Sequence, residues 1–327
     1  MKKKIIFYLK ADNGLQYGYG HFFRCLLLKK KIEETYGNLD IKFLINKNIY
    51  VRRFLKKNKL RNYHFIEDLN LNKTTLFKDS ILVIDIYKKI DFFVTTIIKK
   101  FNLKKIIALD NFETDNKYIK VIINGISFVQ KKIKSNYSQV YQGLKFLHIT
   151  NSYKKNMYKI DKKYISFFVS SGGSDKNNLT YAIVKNLLNI KDSKINLLIG
   201  PGFKKKDKIF KYKNKKNVIF YKNIKDTKKL IAKNDISIVS GGFTMLESLS
   251  LGVPTFVIKN YNHQKYLIRY LLNKKAISYL GDIKNINFLK FNRLVNDTYY
   301  LKKLSQNSIK IFRFDGLKNI AQIIYNL

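Results

Sequence analysis

The sequence predicts two α/β domains, each built around a largely parallel sheet, and three observations carry the prediction. Short runs rich in Ile, Val and Phe alternate with longer amphipathic stretches along the whole chain. Continuous apolar runs of this kind belong to strands covered on both faces, and the helical stretches between them supply the crossovers that parallel strands need. The alternation breaks once, in a polar interval without clear period between His148 and Lys163, and then resumes. Finally, 327 residues with 46% apolar side chains, 14% aromatics and only two prolines suffice for two cores at roughly 150 residues per domain. That composition excludes disorder, collagen-like repeats and disulfide scaffolds.

Taken in order, the strands of the first domain are expected at Ile5 to Ala11, Ile41 to Ile45, Ile81 to Asp85, Ile106 to Asp110 and Val121 to Asn124. Helical spacing runs from Phe22 to Thr35 and from Phe92 to Phe101. The second domain repeats the theme, with strands at Ile165 to Ser170, Ile195 to Ile199, Val218 to Tyr221, Ile236 to Val239 and Thr255 to Ile258. The boundary is expected near residue 155, giving domains 1–155 and 156–327. Ligands of open parallel sheets gather at the carboxyl ends of the strands, so the chemistry is expected on those loops and in a cleft between the domains.

The net charge is +43, from 65 Lys+Arg against 22 Asp+Glu. Lysine supplies nearly all of it, dispersed in pairs and triples, and Arg occurs at only seven positions. Groove readers favour the planar Arg fork, so the balance reads as solvated surface, and no nucleic-acid partner is expected. Met1 to Lys4 is basic, but the apolar run behind it stops at Lys10, too soon for a signal peptide. No run approaches the roughly 18 apolar residues of a membrane span. One cysteine forms no internal disulfide. A cytoplasmic monomer without stable membrane insertion is the expectation.

Three loops carry information. The first follows the first strand and contains Asp12, Gly14, Gly18, Gly20 and His21 before a helix that includes Arg24 and Cys25. Glycines let a backbone turn sharply and approach a ligand. The positive end of the helix would favour a neutral imidazole at His21, able to accept a proton. The alternative is a histidine that merely packs. The second loop, Ser170-Ser171-Gly172-Gly173-Ser174-Asp175, precedes a helix from near Asn177 to about Leu188. It reads either as an anion cradle of backbone N–H groups or as a tight turn with Ser174 or Asp175 capping the helix. The third is Ser240-Gly241-Gly242 with Thr244 and Glu247 on the next helix, followed by Asn262 and Gln264 after the next strand. Glu247 can hold a ribose diol by two hydrogen bonds, against the alternative of helix-dipole compensation. Asn262 and Gln264 can read sugar hydroxyls. Two Gly-Gly helix starts and a histidine loop favour a phosphate-bearing ligand. No Walker loop, HExxH or CxxC is present, and four dispersed histidines predict no metal site. Cys25 reads as a buried apolar residue.

The string Lys10-Ala11-Asp12 with Gly18-Tyr19-Gly20-His21-Phe22-Phe23-Arg24-Cys25 resembles the opening motif, R-x-D then G-x-G-H-x-x-R-C, of the UDP-sugar hydrolases of pseudaminic acid biosynthesis and the related spore-coat polysaccharide proteins. The resemblance continues at Asp85-Ile86-Tyr87, at Asp110-Asn111, at Tyr141-Gln142-Gly143, at the two Gly-Gly loops, at Gly252-Val253-Pro254 and at Asn262-His263-Gln264, in the family's order. Lys10 stands where the family has Arg, Asn111 where it has a second Asp, and His148-Ile149 where it has Leu-Arg. What the resemblance implies is a GT-B fold of two Rossmann-like doubly wound domains facing across a cleft, with UDP mainly on the second domain and the last helix crossing back to the first. It further implies metal-independent, cofactor-free, inverting hydrolysis of UDP-2,4-diacetamido-2,4,6-trideoxy-β-L-altrose. His21 and Asp12 would be catalytic. Gly18, Gly20, Arg24, Gly172, Gly173, Ser174, Asp175, Ser240, Gly241, Gly242, Thr244, Glu247, Asn262 and Gln264 would hold the UDP-sugar. The competing readings are a GT-B glycosyltransferase with a UDP-sugar donor and, from another class, a basic nucleic-acid-binding protein.

Overall fold

Along the first strand, Ile5, Phe7 and Leu9 alternate with Ile6 and Tyr8, and all five are fully buried. Both faces are therefore covered, as the unbroken apolar run requires. In this computed structural model the strand is β1 (Lys4–Leu9), and the chain divides into two units, Met1–Thr150 with Asp315–Leu327, to which β1 belongs, and Asn151–Phe314. The structure describes residues 2–11, 20–37, 39–57, 59–86, 90–110, 116–126, 129, 132–149, 164–222, 224 and 226–327. The expected roles of Asp12, Gly14 and Gly18, the motif residues Tyr87 and Asn111, and the interval 150–163 lie outside the described residues.

The first unit continues through α1 (Gly20–Tyr36), β2 (Asp40–Ile45), α2 (Ile49–Lys57), β3 (Tyr63–Phe65), β4 (Ser80–Asp85), α3 (Phe92–Lys100), β5 (Ile106–Leu109), β6 (Val121–Asn124) and β7 (Gln139–Gln142). Its sheet runs β3-β2-β1-β4-β5-β6-β7, with every pairing parallel. One face of β1 packs on Phe22, Cys25, Leu28 and Ile32 of α1 and on Leu317, Ile320, Ala321 and Ile324, and the other on Val94, Ile97 and Ile98 of α3. The residues from the chain's end belong to α10 (Gly316–Asn326), which also stacks Tyr325 on Tyr36, ring centroids 3.9 Å apart. Gly316 is required there. A Cβ would fall 1.9 Å from the Leu147 carbonyl oxygen, whereas the Gly316 N–H donates to Ile149 O at 3.0 Å.

The second unit contains β8 (Ile165–Ser170), α4 (Leu179–Leu187), β9 (Ser193–Ile199), β10 (Val218–Lys222), α5 (Thr227–Ala232), β11 (Ile236–Ser240), α6 (Phe243–Ser250), β12 (Thr255–Lys259), α7 (Lys265–Asn273), β13 (Ser278–Asp282), α8 (Phe288–Leu294) and α9 (Thr298–Ile311). Its sheet runs β10-β9-β8-β11-β12-β13, again parallel throughout. Three strands escape the sequence reading: β3, β7 and β13 are outermost in their sheets. An edge strand has a less covered flank, so Gln139-Val140-Tyr141-Gln142 carries no apolar run. Among the described residues no helix is long and apolar enough to cross a membrane.

The strand order fixes where ligands belong. Each sheet grows outward in both directions from a central pair, β1 and β4 in one unit and β8 and β11 in the other. At such a switch point the following connections diverge to opposite sides and leave a crevice at the strands' carboxyl ends. His21 follows β1 and Asp85 closes β4. Gly172 and Gly173 follow β8, and Gly241 and Gly242 follow β11.

Candidate active site

Asp85 is the last residue of β4 and is completely buried. Its carboxylate accepts from Arg24 Nε at 2.5 Å, from Arg24 Nη2, from His21 Nδ1 at 2.6 Å and from Cys25 Sγ at 3.2 Å. The first turn of α1 delivers all three donors, because residues 21, 24 and 25 share one helix face at i, i+3, i+4 spacing. Arg24 Nη2 also lies 3.1 Å from His21 Nδ1. A lone pair on Nδ1 would face the Asp85 oxygen in repulsion, so the shorter contact assigns the proton to Nδ1. The lone pair of His21 is thereby left on Nε2, the tautomer a general base requires.

Arg24 links this carboxylate to a second. Its Nη1 donates to Asp110 Oδ2 at 2.6 Å, while Asp110 Oδ1 accepts from the Gly125 N–H at 2.9 Å and the Ile126 N–H at 3.3 Å. Asp110 follows β5 in a left-handed conformation, φ +47°, which short polar side chains tolerate. Burial by itself would push the Asp85 carboxyl up, but the Arg24 guanidinium and His21 hold it well below the usual carboxylate range. Burial likewise opposes the charge on Arg24, and the two carboxylates hold it firmly protonated. Burial and then Asp85 push the Cys25 thiol up, so it stays a thiol and donates. Two ion pairs, with Asp85 and with Asp110, engage the Arg24 guanidinium. Lys10 is engaged too, 2.7 Å from the Asp91 carboxylate that caps α3. His148, 4% exposed, joins the cluster electrostatically. Burial and then the Arg24 charge depress it to about 4, which keeps it neutral, and its Nε2 has no hydrogen-bond partner. Among the described residues no three His, Cys, Asp or Glu side chains gather as a metal site.

The two Gly-Gly loops of the second unit turn out unlike each other. Asp175 accepts from Leu179 N at 2.8 Å, from Thr180 N at 2.9 Å and from the Thr180 hydroxyl. Both its oxygens accept from the start of α4, the capping role that the spacing offers as one alternative for Asp175. The start of α6 has no side-chain cap. Met245 N returns to Gly242 O, but among the described residues the Phe243 and Thr244 N–H groups meet no acceptor, the condition for holding an anion. Gly172 and Gly242 use their own N–H groups to close the turns, on Ser170 Oγ at 3.0 Å and Ser240 O at 2.8 Å. Ser240 Oγ donates to Ser171 O at 3.0 Å and ties the two loops together.

Gly172 needs its glycine for φ +95°, and the loop rests on a Gly200-Pro201-Gly202 turn that the sequence reading passed over. A Cβ on Gly200 would lie 2.4 Å from Gly172 O, and the Gly202 N–H donates to Gly173 O at 2.8 Å. Glu247 lies on α6 and is half-buried. Burial pushes it up to about 7, against Lys228, which lowers it, and with Asp226, which raises it. Gln264 is buried, and its Oε1 accepts from the N–H groups of Asn260 at 2.9 Å and Tyr261 at 3.2 Å, leaving the amide nitrogen about one contact from the Gly242 turn. Asn262 is exposed, as are Gly20 at the start of α1 and, in part, Ser174 and Thr244. Asp85 and Asp110 had a legible signal, since each is a carboxylate closing an apolar strand at its carboxyl end.

The chain belongs to the family described as protein of unknown function (DUF354), which matches residues 88–321. It is 26% identical over 346 residues to an uncharacterized protein, MJ1062, of Methanocaldococcus jannaschii, covering 93% of this chain and 68% of that one. It is 23% identical over 290 residues to the spore coat polysaccharide biosynthesis protein SpsG of Bacillus subtilis, covering 83% and 82%. Among solved structures, MurG of Acinetobacter baumannii superimposes with a TM-score of 0.67 at 13% identity, over 99% of this chain and 100% of that one. HepE of Anabaena, in complex with UDP and glucose, does so with a TM-score of 0.60 at 12% identity, over 99% and 100%. These likenesses establish the GT-B fold.

Proposed function

We propose that this chain is a metal-independent, inverting hydrolase of a UDP-linked 2,4-diacetamido-2,4,6-trideoxyhexose. The observation that carries the reading is the His21–Asp85 contact, which leaves Nε2 free as a base at the switch point of the first sheet. His21 Nε2 takes a proton from water as the water oxygen bonds to the anomeric carbon. The bond from that carbon to the diphosphate oxygen breaks, UDP leaves with the electron pair, and the configuration inverts because one displacement occurs. Arg24 balances the buried carboxylates, and Asp12 orients the water or a sugar amide. In the second unit the uncapped start of α6 and the Gly172–Ser174 turn supply N–H groups suited to the diphosphate of a UDP-sugar, while Glu247 accepts from the ribose hydroxyls. The likeness to the spore-coat protein and to a GT-B structure holding UDP supports this substrate class.

One observation favours a second reading, a GT-B glycosyltransferase that passes the sugar to an acceptor hydroxyl. Phe23 on α1 is 46% exposed and packs on Phe54 of α2, whose first turn presents Ile49 and Tyr50 to solvent beside Arg52 and Arg53. An apolar patch with a basic border suits an acceptor carried on an anionic lipid surface.

The deciding experiment is a proton NMR time course with the UDP-linked diacetamido trideoxy-L-altro sugar, chelator present and acceptor absent. Release of UDP with the opposite anomer appearing first is the expected result. Intact substrate that turns over only when a lipid-linked acceptor is added would establish the transferase instead. His21→Ala is expected to abolish turnover while UDP still binds, and loss of both would make His21 structural.

A further inference from the structure

Asn260 follows β12 and is 6% exposed, yet its amide nitrogen, Nδ2, is buried without a hydrogen-bond partner. The rest of the residue is fully engaged. Its N–H donates to Gln264 Oε1 at 2.9 Å, and its side-chain Oδ1 and main-chain oxygen accept from Asn177 Nδ2 at 2.8 and 3.3 Å. Swapping the amide's oxygen and nitrogen would set two donors against each other at Asn177, so the unpaired group is the donor.

The sheet order says where this amide lies. Asn177 comes from the connection after β8 and Asn260 from the connection after β12, and β11 runs between those strands. A hydrogen bond from one to the other crosses the carboxyl end of β11, where the Ser240–Gly242 turn opens into α6. Three kinds of donor then belong to this end of β11: the uncapped N–H groups at the start of α6, Gln264 Nε2 about 4.0 Å from where a Gly242 Cβ would stand, and Nδ2 of Asn260, whose own N–H bonds the same Gln264 amide. Buried or uncapped donors left without a partner call for a ligand that supplies acceptors.

We propose that Asn260 is a further ligand-binding residue, its Nδ2 donating to an oxygen of the diphosphate held at the start of α6, with Asn177 as the positioning residue that fixes the orientation of the amide. The assignment rests on the reading of the ligand as a nucleoside diphosphate. It differs from an ordinary loop role in requiring a donor at this atom and in acting on the phosphates and not on the nucleoside.

The test compares binding of UDP, by calorimetry, with binding of uridine, by NMR titration, to the full chain and three variants. Asn260→Asp keeps the shape and the acceptor for Asn177 but replaces the donor by a charge, and should weaken UDP by at least 100-fold. Asn260→Ala leaves Asn177 its main-chain acceptor and should weaken UDP by roughly 10- to 100-fold, the range for a hydrogen bond to a charged group. Asn177→Ala, the mildest change to the fold, should weaken it by about threefold. Uridine affinity is expected to stay the same in all three. Equal losses for UDP and uridine, or no loss of UDP in any variant that melts like the parent, would overturn the proposal while leaving the hydrolase reading intact. A parent chain that fails to bind UDP would overturn both.

Discussion

Replacing Asp85 by Asn isolates the charge at the centre of the first site. The side chains have nearly the same size, so no cavity opens. What changes is the reception of four donors: two from Arg24, one from His21 and one from Cys25. An amide accepts at one atom only, and its nitrogen must face Arg24 or His21. Arg24 keeps Asp110 alone as counter-ion. Removing one partner of a buried ion pair costs about 3–5 kcal/mol, a large part of a domain's stability of about 5–15 kcal/mol. Because Asp85 is held below the range of an unfolded Asp, near 3.9, its contribution is present in full above that pH and is lost as the pH falls through and below it. The deficit in Asp85→Asn should therefore be equal at pH 7 and pH 8 in urea unfolding and shrink only below about pH 4. For turnover, losing the Nδ1–H acceptor frees His21 to adopt the wrong tautomer. A general base contributes roughly 10²–10⁴-fold, and the carboxyl-to-amide change in a Ser-His-Asp triad removes about 10⁴. In a UDP-release assay kcat should fall by about 10²- to 10⁴-fold with a much smaller change in KM. A variant within about tenfold of the parent in kcat, beside an inactive His21→Ala, would refute the orienting role of Asp85.

Three more expectations follow from buried or close-packed groups. His148 is depressed to about 4 in the fold against 6.5 in the unfolded chain, so the unfolded state binds the extra proton between those values and stability falls as the pH drops from 6.5 to 4, by about 3 kcal/mol in all; His148→Leu should flatten that limb in urea titrations, and parallel curves would count against it. Glu247, pushed up to about 7, ionises near neutrality, so UDP affinity should rise with pH through 7 if the carboxylate accepts from ribose; Glu247→Gln should bind UDP about tenfold more weakly at pH 8 and show no such rise in calorimetry. Gly200→Ala forces a Cβ to within 2.4 Å of Gly172 O; it should cost about 1–3 kcal/mol of stability and weaken UDP binding measurably, and a variant that melts and binds like the parent would show the loop contact to be unimportant.

The first site shows why geometry had to finish what the sequence began. His21 was legible from its place before a helix, and Asp85 and Asp110 were visible as carboxylates closing apolar strands. Their pairing was not, because the bonds from Asp85 reach across more than sixty positions of chain to His21 and Arg24, and only the parallel order β1-β4-β5 sets those strand ends side by side. For the same reason the glycine-rich motif around Arg24 does not show the two carboxylates that the fold sets against it. In the second unit Asp175 and Glu247 both sat near helix starts, and local spacing could not separate a cap from a ligand group. The fold shows Asp175 bonded to the N–H groups that open α4, while the start of α6 carries no side-chain cap.

By itself the sequence determined the secondary structure of the covered strands, the parallel α/β class, the two-part organisation and the glycine-rich loops at the strand ends. Those follow from local periodicity, from the apolar runs that burial on two faces demands and from the conformational needs of glycine, all of which are written in neighbouring residues. The tertiary structure alone decided which polar groups are committed and which are left to bind. That depends on partners distant in sequence, and on the burial that makes an unpaired charge or donor costly, neither of which a linear pattern contains.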